Sequence, residues 1–426
     1  MAGLRFLHLA DLHLDSPLRG LEAEAPALRI REASRRALAN AVQYALDESL
    51  PLVVIAGDLF DGDWKDWRTG HFLVGQIARL TRAGVRVVAI SGNHDADSVV
   101  SRRVRWEAPA TLLRSDRAET VGFPEIGVAV HGQSFRAREI LENLAASYPR
   151  RVEGMFNIGL LHTAATGRDG HANYAPCSVE QLAAHGYEYW ALGHVHTREV
   201  LHPDPPIVFP GNLQGRHVNE PGERGGTLVS VRDGRVALRH VAFDVVRWER
   251  LVVDVAAASE VGDAMALVRA AVGEAVERAD GRLLALRVVL SGASIVHAAL
   301  AGAAADTREM VRAELLAAAG EEAWLEGVQV ETSPRLAREA MRARTDAFGA
   351  LVRSIEAVEG ATLAGGLRAY AADMLGKAAG LGEAVGEGHP AVRLAAGEVP
   401  EDLLRRARDL LLARLAEGEG SCASPR

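Results

Sequence analysis

A layered α/β fold is predicted for residues 1–245, and three observations predict it. Short aliphatic runs recur along this stretch, Ala/Arg/Glu-rich segments of helical character separate several of them, and the runs lack the apolar–polar alternation of a half-wet sheet. Strands without alternation are buried on both faces, so each must be covered on two sides.

RFLHLA supplies the first strand, and a helical stretch over 27–48 leads to PLVVIAGD. A second helix, over 68–83, leads to VRVVAISGN; FNIGLLHT follows, then a helix over 178–185, YEYWALGH and PPIVFPGN. GTLVSV, the turn RDG and RVALRHVAF read as a hairpin that closes the domain near Val245. Texture then changes: RWERLVVDV, a helix from Val261 to Arg278, RLLALRVVL, a helical 306–319 and WLEGVQVET make a small α+β capping domain over 246–333. Residues 334–417 are Ala-, Leu-, Arg- and Glu-rich, broken by Gly clusters such as GLGEAVGEG, and read as a helical partner-binding region. Its last helix sets Leu403, Leu404, Leu410, Leu411 and Leu415 against Arg405, Arg406, Arg408 and Arg414, a pattern that suits a partner or packing on the cap. The tail, 418–426, is expected to be disordered.

With 426 residues, two or three domains are expected, and 48% hydrophobic with 24% charged residues is a globular balance. Cys177 and Cys422 are too few for a disulfide framework, the first fifteen residues lack an apolar signal core, and no run reaches the roughly 18 apolar residues of a membrane span. A cytoplasmic protein with no membrane partner is the expectation. The net charge is −8; residues 1–245 carry 27 Lys/Arg against 29 Asp/Glu and the rest 21 against 27, so any grip on phosphates must come from a local Arg patch or a partner. No GxxxxGK[ST] motif occurs, which removes the simplest nucleotide-hydrolase reading.

Histidines and acids gather where strands stop. Asp11 and His13 follow RFLHLA; Asp58 and Asp61 follow PLVVIA; Asn93, His94 and Asp95 follow VRVVAI; His162 follows FNIGLL; His194 and His196 follow YEYWAL. In a mainly parallel sheet these ends open on one edge, where carboxylate, amide oxygen and imidazole suit hard to borderline divalent ions. They are too many for one ion, and two ions about 3.5–4 Å apart need a shared carboxylate. Asp58, after Gly57 in a tight turn, is the natural bridge.

DxH, GDxxD, GNHD, H and GHxH in this order resemble the calcineurin-like metallophosphoesterase superfamily. The blocks FLHLADLHLDSPL, YAPCSVEQLAAHGYEYWALGHVHTREVL and FPGNLQGRHVNEPGERG are similar to those of SbcD/YhaO-type DNA repair exonucleases, the YhaO-like branch above all. The resemblance implies a β-sandwich flanked by helices, two divalent ions, most readily Mn2+, and phosphodiester hydrolysis on DNA. It places Asp11, His13 and His196 on one ion and Asn93, His162 and His194 on the other, with Asp58 between. His94 would stabilise the transition state or protonate the leaving oxygen, with Asp95 as its orienting partner; Asp61 would orient His13 or a water. It also implies an SMC-like coiled-coil ATPase partner of the SbcC/YhaN type and a homodimer.

Other residues are open to plainer readings. His8 lies inside a strand and is expected to pack; His131, His171 and His217 could line a substrate groove or merely support it. Arg102, Arg103, Arg105 and Arg216, with Trp106 as a stacking face, are candidate phosphate contacts or a solvated rim, and Trp64 and Trp67 support the site or pack. Two rival functions are a phosphomonoesterase or cyclic-nucleotide phosphodiesterase, favoured by the acidic charge, and a non-catalytic scaffold, disfavoured by the intact ligand set.

Overall fold

The computed structural model describes residues 3–16, 27–61, 67–96, 106, 108–165, 174–335, 338–377 and 389–422. Its chain divides into two compact units, Met1–Glu249 with Ala279–Ala285, and Arg250–Arg278 with Leu286–Arg426. The regions read from sequence as a cap and a helical arm thus share one unit.

In the first unit, the strands are β1 (Leu4–Leu9), β2 (Leu52–Ala56), β3 (Arg86–Ile90), β4 (Ala110–Leu112), β5 (Glu119–Phe123), β6 (Val128–Gly132), β7 (Phe156–His162), β8 (Tyr189–Gly193), β9 (Glu199–Pro203), β10 (Pro206–Phe209), β11 (Gly225–Arg232) and β12 (Arg235–Ala242). They form two six-stranded sheets, β12-β11-β1-β2-β3-β4 and β5-β6-β7-β8-β10-β9. Strands β1 to β4 run parallel in the first, and β6, β7, β8 and β10 run parallel in the second, with antiparallel strands outside them. The single sheet edge expected from the run of motifs is therefore two edges, one from each sheet.

Packing explains the missing alternation. In β1, Phe6 faces the second sheet and joins Val54, Val88, Ile158, Tyr189 and Val208 between the sheets. The helices on the outer face are α1 (Ala27–Arg31), α2 (Ala33–Asp47) and α3 (Trp67–Arg82). Leu7 and Leu9 face outward into a cluster that Leu38 and Ala41 of α2 and Leu73 and Leu80 of α3 complete. Beyond the second sheet, Phe135, Leu144, Leu161, Leu182, Trp190 and Phe209 form a third cluster. Every central strand is thus sandwiched, which is why its sequence reads apolar on both sides. His8 packs as expected: its ring nitrogens meet the Tyr189 hydroxyl at 3.0 Å and the Leu192 carbonyl at 3.1 Å. β4, β5 and β9 are short or polar-edged, and β6, although buried throughout, is a brief VAVHG run ending in His131 and Gly132; none of the four was read as a strand from the sequence.

β13 (Val246–Asp254), β14 (Leu283–Ser294) and β15 (Ala323–Pro334) make a three-stranded sheet in the order β13-β14-β15, whose residues from Arg250 in β13 and from Leu286 in β14, with all of β15, belong to the second unit. Among the described residues, five helices follow β15, ending with Glu401–Cys422, which runs five residues into the segment expected to be a disordered tail. In that helix Leu404 and Leu412 are buried, whereas Leu410 and Leu411 are exposed. Its leucines therefore divide between packing and surface. The Gly cluster at 380–388 lies outside the described residues. No described helix is long and apolar enough to cross a membrane.

Candidate active site

The site is built where β1, β2 and β3 of one sheet and β7 and β8 of the other end. Past the strand ends, parallel pairing continues: the amides of Asp11, His13 and Leu14 donate to the carbonyls of Gly57, Asp58 and Leu59 at 3.0, 3.0 and 3.1 Å. The two loops are zipped together, so the spacing of Asp11 and His13 against Asp58 is set by backbone. Asp11, His13, Asp58 and His194 all have left-handed backbones, with φ of 51°, 41°, 51° and 105°. Such conformations are unfavourable for residues with a Cβ and persist where surrounding contacts over-determine them. Gly57 turns the chain at φ 95°, and a Cβ there would sit 2.5 Å from His162 Nδ1.

These turns converge nine polar side chains. Three donor groups fall within ion-binding reach: Asp11, His13 and His196; His13, Asp58 and His94; Asp58, His162 and His194. Asp58 and His13 each belong to two groups. The rings of His13 and His196 approach with their Nε2 atoms 3.1 Å apart. His162 Nδ1 lies 2.9 Å from the Ala56 carbonyl and must donate to it, which leaves Nε2 as a lone pair only 2.9 Å from Asn93 Oδ1. Two acceptors facing each other at that distance suit a shared cation. His194 Nδ1 also stands 3.2 Å from Asn93 Oδ1, and its amide donates to both Asp11 carboxylate oxygens at 3.0 Å. β8 stops at Gly193, so His194 and His196 leave regular strand geometry and their rings fall into different donor groups.

His94 is half-buried, and its Nδ1 is 2.9 Å from Asp61 Oδ1. The partner expected from sequence, Asp95, is elsewhere: its buried carboxylate accepts the amides of Leu59, Phe60 and Gly92 at 3.0, 2.9 and 2.9 Å. Asn93–Ala96 is a helical turn, α4, in which adjacent side chains diverge, so His94 and Asp95 cannot face the same way. Asp95 braces the loop that carries Asp58 and Asp61; Asp61 orients His94 and stands 3.7 Å from His13 Nδ1.

Residues 4–198 match the family described as calcineurin-like phosphoesterase, and residues 248–333 match the middle domain of the metallophosphoesterase YhaO. The uncharacterized metallophosphoesterase YhaO of Bacillus subtilis is 34% identical over 68% of this chain and 72% of its own length. The chain belongs to the calcineurin-like metallophosphoesterases. The DNA double-strand break repair protein Mre11 of Methanopyrus kandleri is 27% identical over 58% of this chain and 54% of that protein. An SbcCD nuclease component of Rhodobacter capsulatus is 34% identical over 30% of this chain and 27% of that protein. The chain thus spans about half of that archaeal relative's length and less of the SbcCD component's.

Family members bind divalent metals, and the donor set of this metallophosphoesterase fits them: carboxylates, an amide oxygen and imidazoles, without thiolate. Burial holds His13 and His162 down at about 3, so both rings are neutral and can ligate. Burial and the neighbouring Asp58 charge push Asp11 well above the usual carboxylate range, the mark of two buried carboxylates aimed at one place, a repulsion that a cation between them would relieve. Asp95 is pushed up to about 7 by burial and by Asp58, against its three amide donors. For His94, burial lowers the pKa but the Asp61 hydrogen bond and the Asp58 charge outweigh it, and the net shift is upward. Asp61 itself, although part-buried, is held far below its usual range by His13 and His94.

Of the candidate substrate contacts, Arg216 stands at the site, its Nη1 3.6 Å from Asp61 Oδ2. His217 is largely exposed beside it, 3.6 Å from Glu220. His131 is a packing residue: it bonds Thr120 and Asn157 and stacks on Tyr187. Trp106 lies part-buried against the helix-side core and Trp67 is exposed at the start of α3. Arg102, Arg103, Arg105, Trp64 and His171 lie outside the described residues. Glu220, which no motif singled out, accepts from His196 Nδ1 at 2.7 Å. Its sign in the sequence was its place in the family-like block FPGNLQGRHVNEPGERG, which by itself gave the residue no role.

Proposed function

We propose that this metallophosphoesterase is a two-metal phosphodiesterase that digests DNA as an exonuclease in DNA repair, with Mn2+ as its metal and an SMC-like coiled-coil ATPase as its partner. The observation that carries the reading is a run of three donor groups, Asp11, His13 and His196, then His13, Asp58 and His94, then Asp58, His162 and His194, linked through His13 and Asp58 and with Asn93 beside His162, which supplies more donors than one ion can use. Two divalent ions held there would supply Lewis acidity to a phosphoryl group and to water. The chain's own residues do the rest. Asp61 holds Nδ1 of His94, leaving Nε2 to give a proton to the departing sugar oxygen, and the Asp61 hydrogen bond and the Asp58 charge raise the pKa of the ring against the effect of burial. Arg216 offsets the negative charge of Asp61 from the opposite side. The DNA substrate is supported by the names of the archaeal Mre11 and SbcCD relatives.

The test is cleavage of end-labelled single- and double-stranded DNA with Mn2+, alongside bis-p-nitrophenyl phosphate and cyclic nucleotides. His94→Gln is expected to lower turnover by about 10²–10⁴-fold with metal content unchanged. Loss of metal in that variant would make His94 a ligand. Turnover of the small esters without DNA cleavage, even with the partner present, would favour the small-substrate phosphoesterase.

A further inference from the structure

We propose that Glu220 is a positioning residue that fixes the ring of His196 and, through Arg216, the Asp61–His94 pair; this rests on the two-centre reading above. Glu220 is 5% exposed and sits in the loop between β10 and β11. Its Oε1 accepts His196 Nδ1 at 2.7 Å and Arg216 Nη2 at 3.3 Å. Its Oε2 accepts Asn212 Nδ2 and the Arg216 amide, both at 2.8 Å. Asn212 in turn accepts Arg224 Nη1 at 3.0 Å, and the same Arg224 nitrogen donates to the His196 carbonyl. The carboxylate is therefore caged by donors on both oxygens, the condition under which a buried charge is tolerated.

Two consequences follow from this cage. Two groups compete at His196 Nδ1: the Glu220 carboxylate, an acceptor at 2.7 Å, and Arg216 Nη2, a donor at 3.2 Å; the shorter contact to the charged acceptor places the proton on Nδ1, so that Nε2, the atom 3.1 Å from His13 Nε2, carries the lone pair. At the other end, Arg216 reaches from Glu220 to Asp61 Oδ2 at 3.6 Å, while Asp61 Oδ1 holds His94 at 2.9 Å. One carboxylate thus ties a ligand of one donor group to the histidine assigned to proton transfer.

Glu220→Gln keeps the size but places an amide NH2 against a donor, at either His196 or Asn212. Mn2+ titration of the full chain by calorimetry, with electron paramagnetic resonance of the ion pair, is expected to show two ions in the wild type. In Glu220→Gln one of the two should bind about 10–100-fold more weakly, and the coupled-pair signal should be lost at Mn2+ levels that saturate the wild type. Arg216→Gln should keep both ions and lower kcat on bis-p-nitrophenyl phosphate. If Glu220→Gln does not fold, Glu220→Asp carries the test, because it keeps the charge but is one methylene short of His196; the same selective loss is expected. Wild-type affinity for both ions in the variant, with only lower stability of the EDTA-treated protein, would make Glu220 a scaffold and overturn the inference while leaving the two-centre reading intact. Fewer than two ions in the wild type would overturn both. An unchanged kcat in Arg216→Gln would remove the Asp61–His94 arm.

Discussion

His8 shows how one residue can look like a ligand and be a strut. It stands three positions before Asp11, in the strand that leads to it, yet both ring nitrogens are spent across the sandwich on Tyr189 and Leu192. Burial lowers its pKa from 6.5 to about 3. Between those values the unfolded chain binds a proton that the native chain does not, so stability falls as pH falls below 6.5, by about 1.4 kcal/mol per pH unit. His13 and His162 add the same slope in the metal-free protein, so the effect of His8 must be read as a difference. In urea denaturation with EDTA, His8→Phe should be less stable than wild type at pH 7 by about 1–3 kcal/mol per hydrogen-bonding group left unpaired. Its stability should then fall less steeply from pH 6.5 downward. A parallel slope in the two proteins would show that His8 is already protonated in the fold.

At the level of elements, the candidate donor residues that the structure brings together were legible because each lies at or just past a strand end, and strand ends carry recognisable short motifs. What those motifs could not convey is contact across the sandwich. Asp95 follows His94 in sequence and was paired with it, but one helical turn sends them to opposite sides, and Asp61 from another strand end takes the place. Glu220 was missed because its partners, His196, Asn212 and Arg216, surround it only in three dimensions. Gly193 is a third example. In GHVH it looks like a flexible lead-in to the histidines, whereas a Cβ there would lie 1.9 Å from the Ala56 carbonyl at the end of β2 in the other sheet. That same carbonyl receives Nδ1 of His162 at 2.9 Å. Gly193→Ala must therefore separate the ends of β8 and β2 or push the carbonyl off His162. An overpacking cost of about 1–3 kcal/mol is expected, together with loss of Mn2+ binding by the group containing His162 and His194. Thermal melting with and without Mn2+ tests this: the variant should have lost most of the metal-induced stabilisation that the wild type shows. Full retention of that stabilisation would mean that the strand ends yield without disturbing the site.

For the whole molecule, the question is how a chain with net charge −8 would handle a polyanion. Neither residues 1–245 nor the remainder are basic, with 27 Lys/Arg against 29 Asp/Glu and 21 against 27. At the site, Arg216 is engaged by Asp61 and Glu220 and has little charge to spare for a backbone phosphate. The chemistry of the site and the grip on DNA should therefore be separable. Hydrolysis of bis-p-nitrophenyl phosphate needs only the former and should hardly change between 50 and 200 mM salt, conditions over which a protein with several phosphate contacts loses about 10³–10⁵ in DNA affinity. DNA cleavage by the chain alone should be slow and salt-sensitive, and addition of a coiled-coil ATPase partner should lower the KM for DNA while leaving kcat on the small ester unchanged. Equal loss of both activities with salt would locate the sensitivity in the metal site itself. Fast, salt-resistant DNA cleavage without a partner would mean that a local surface of this chain supplies the grip despite its overall charge.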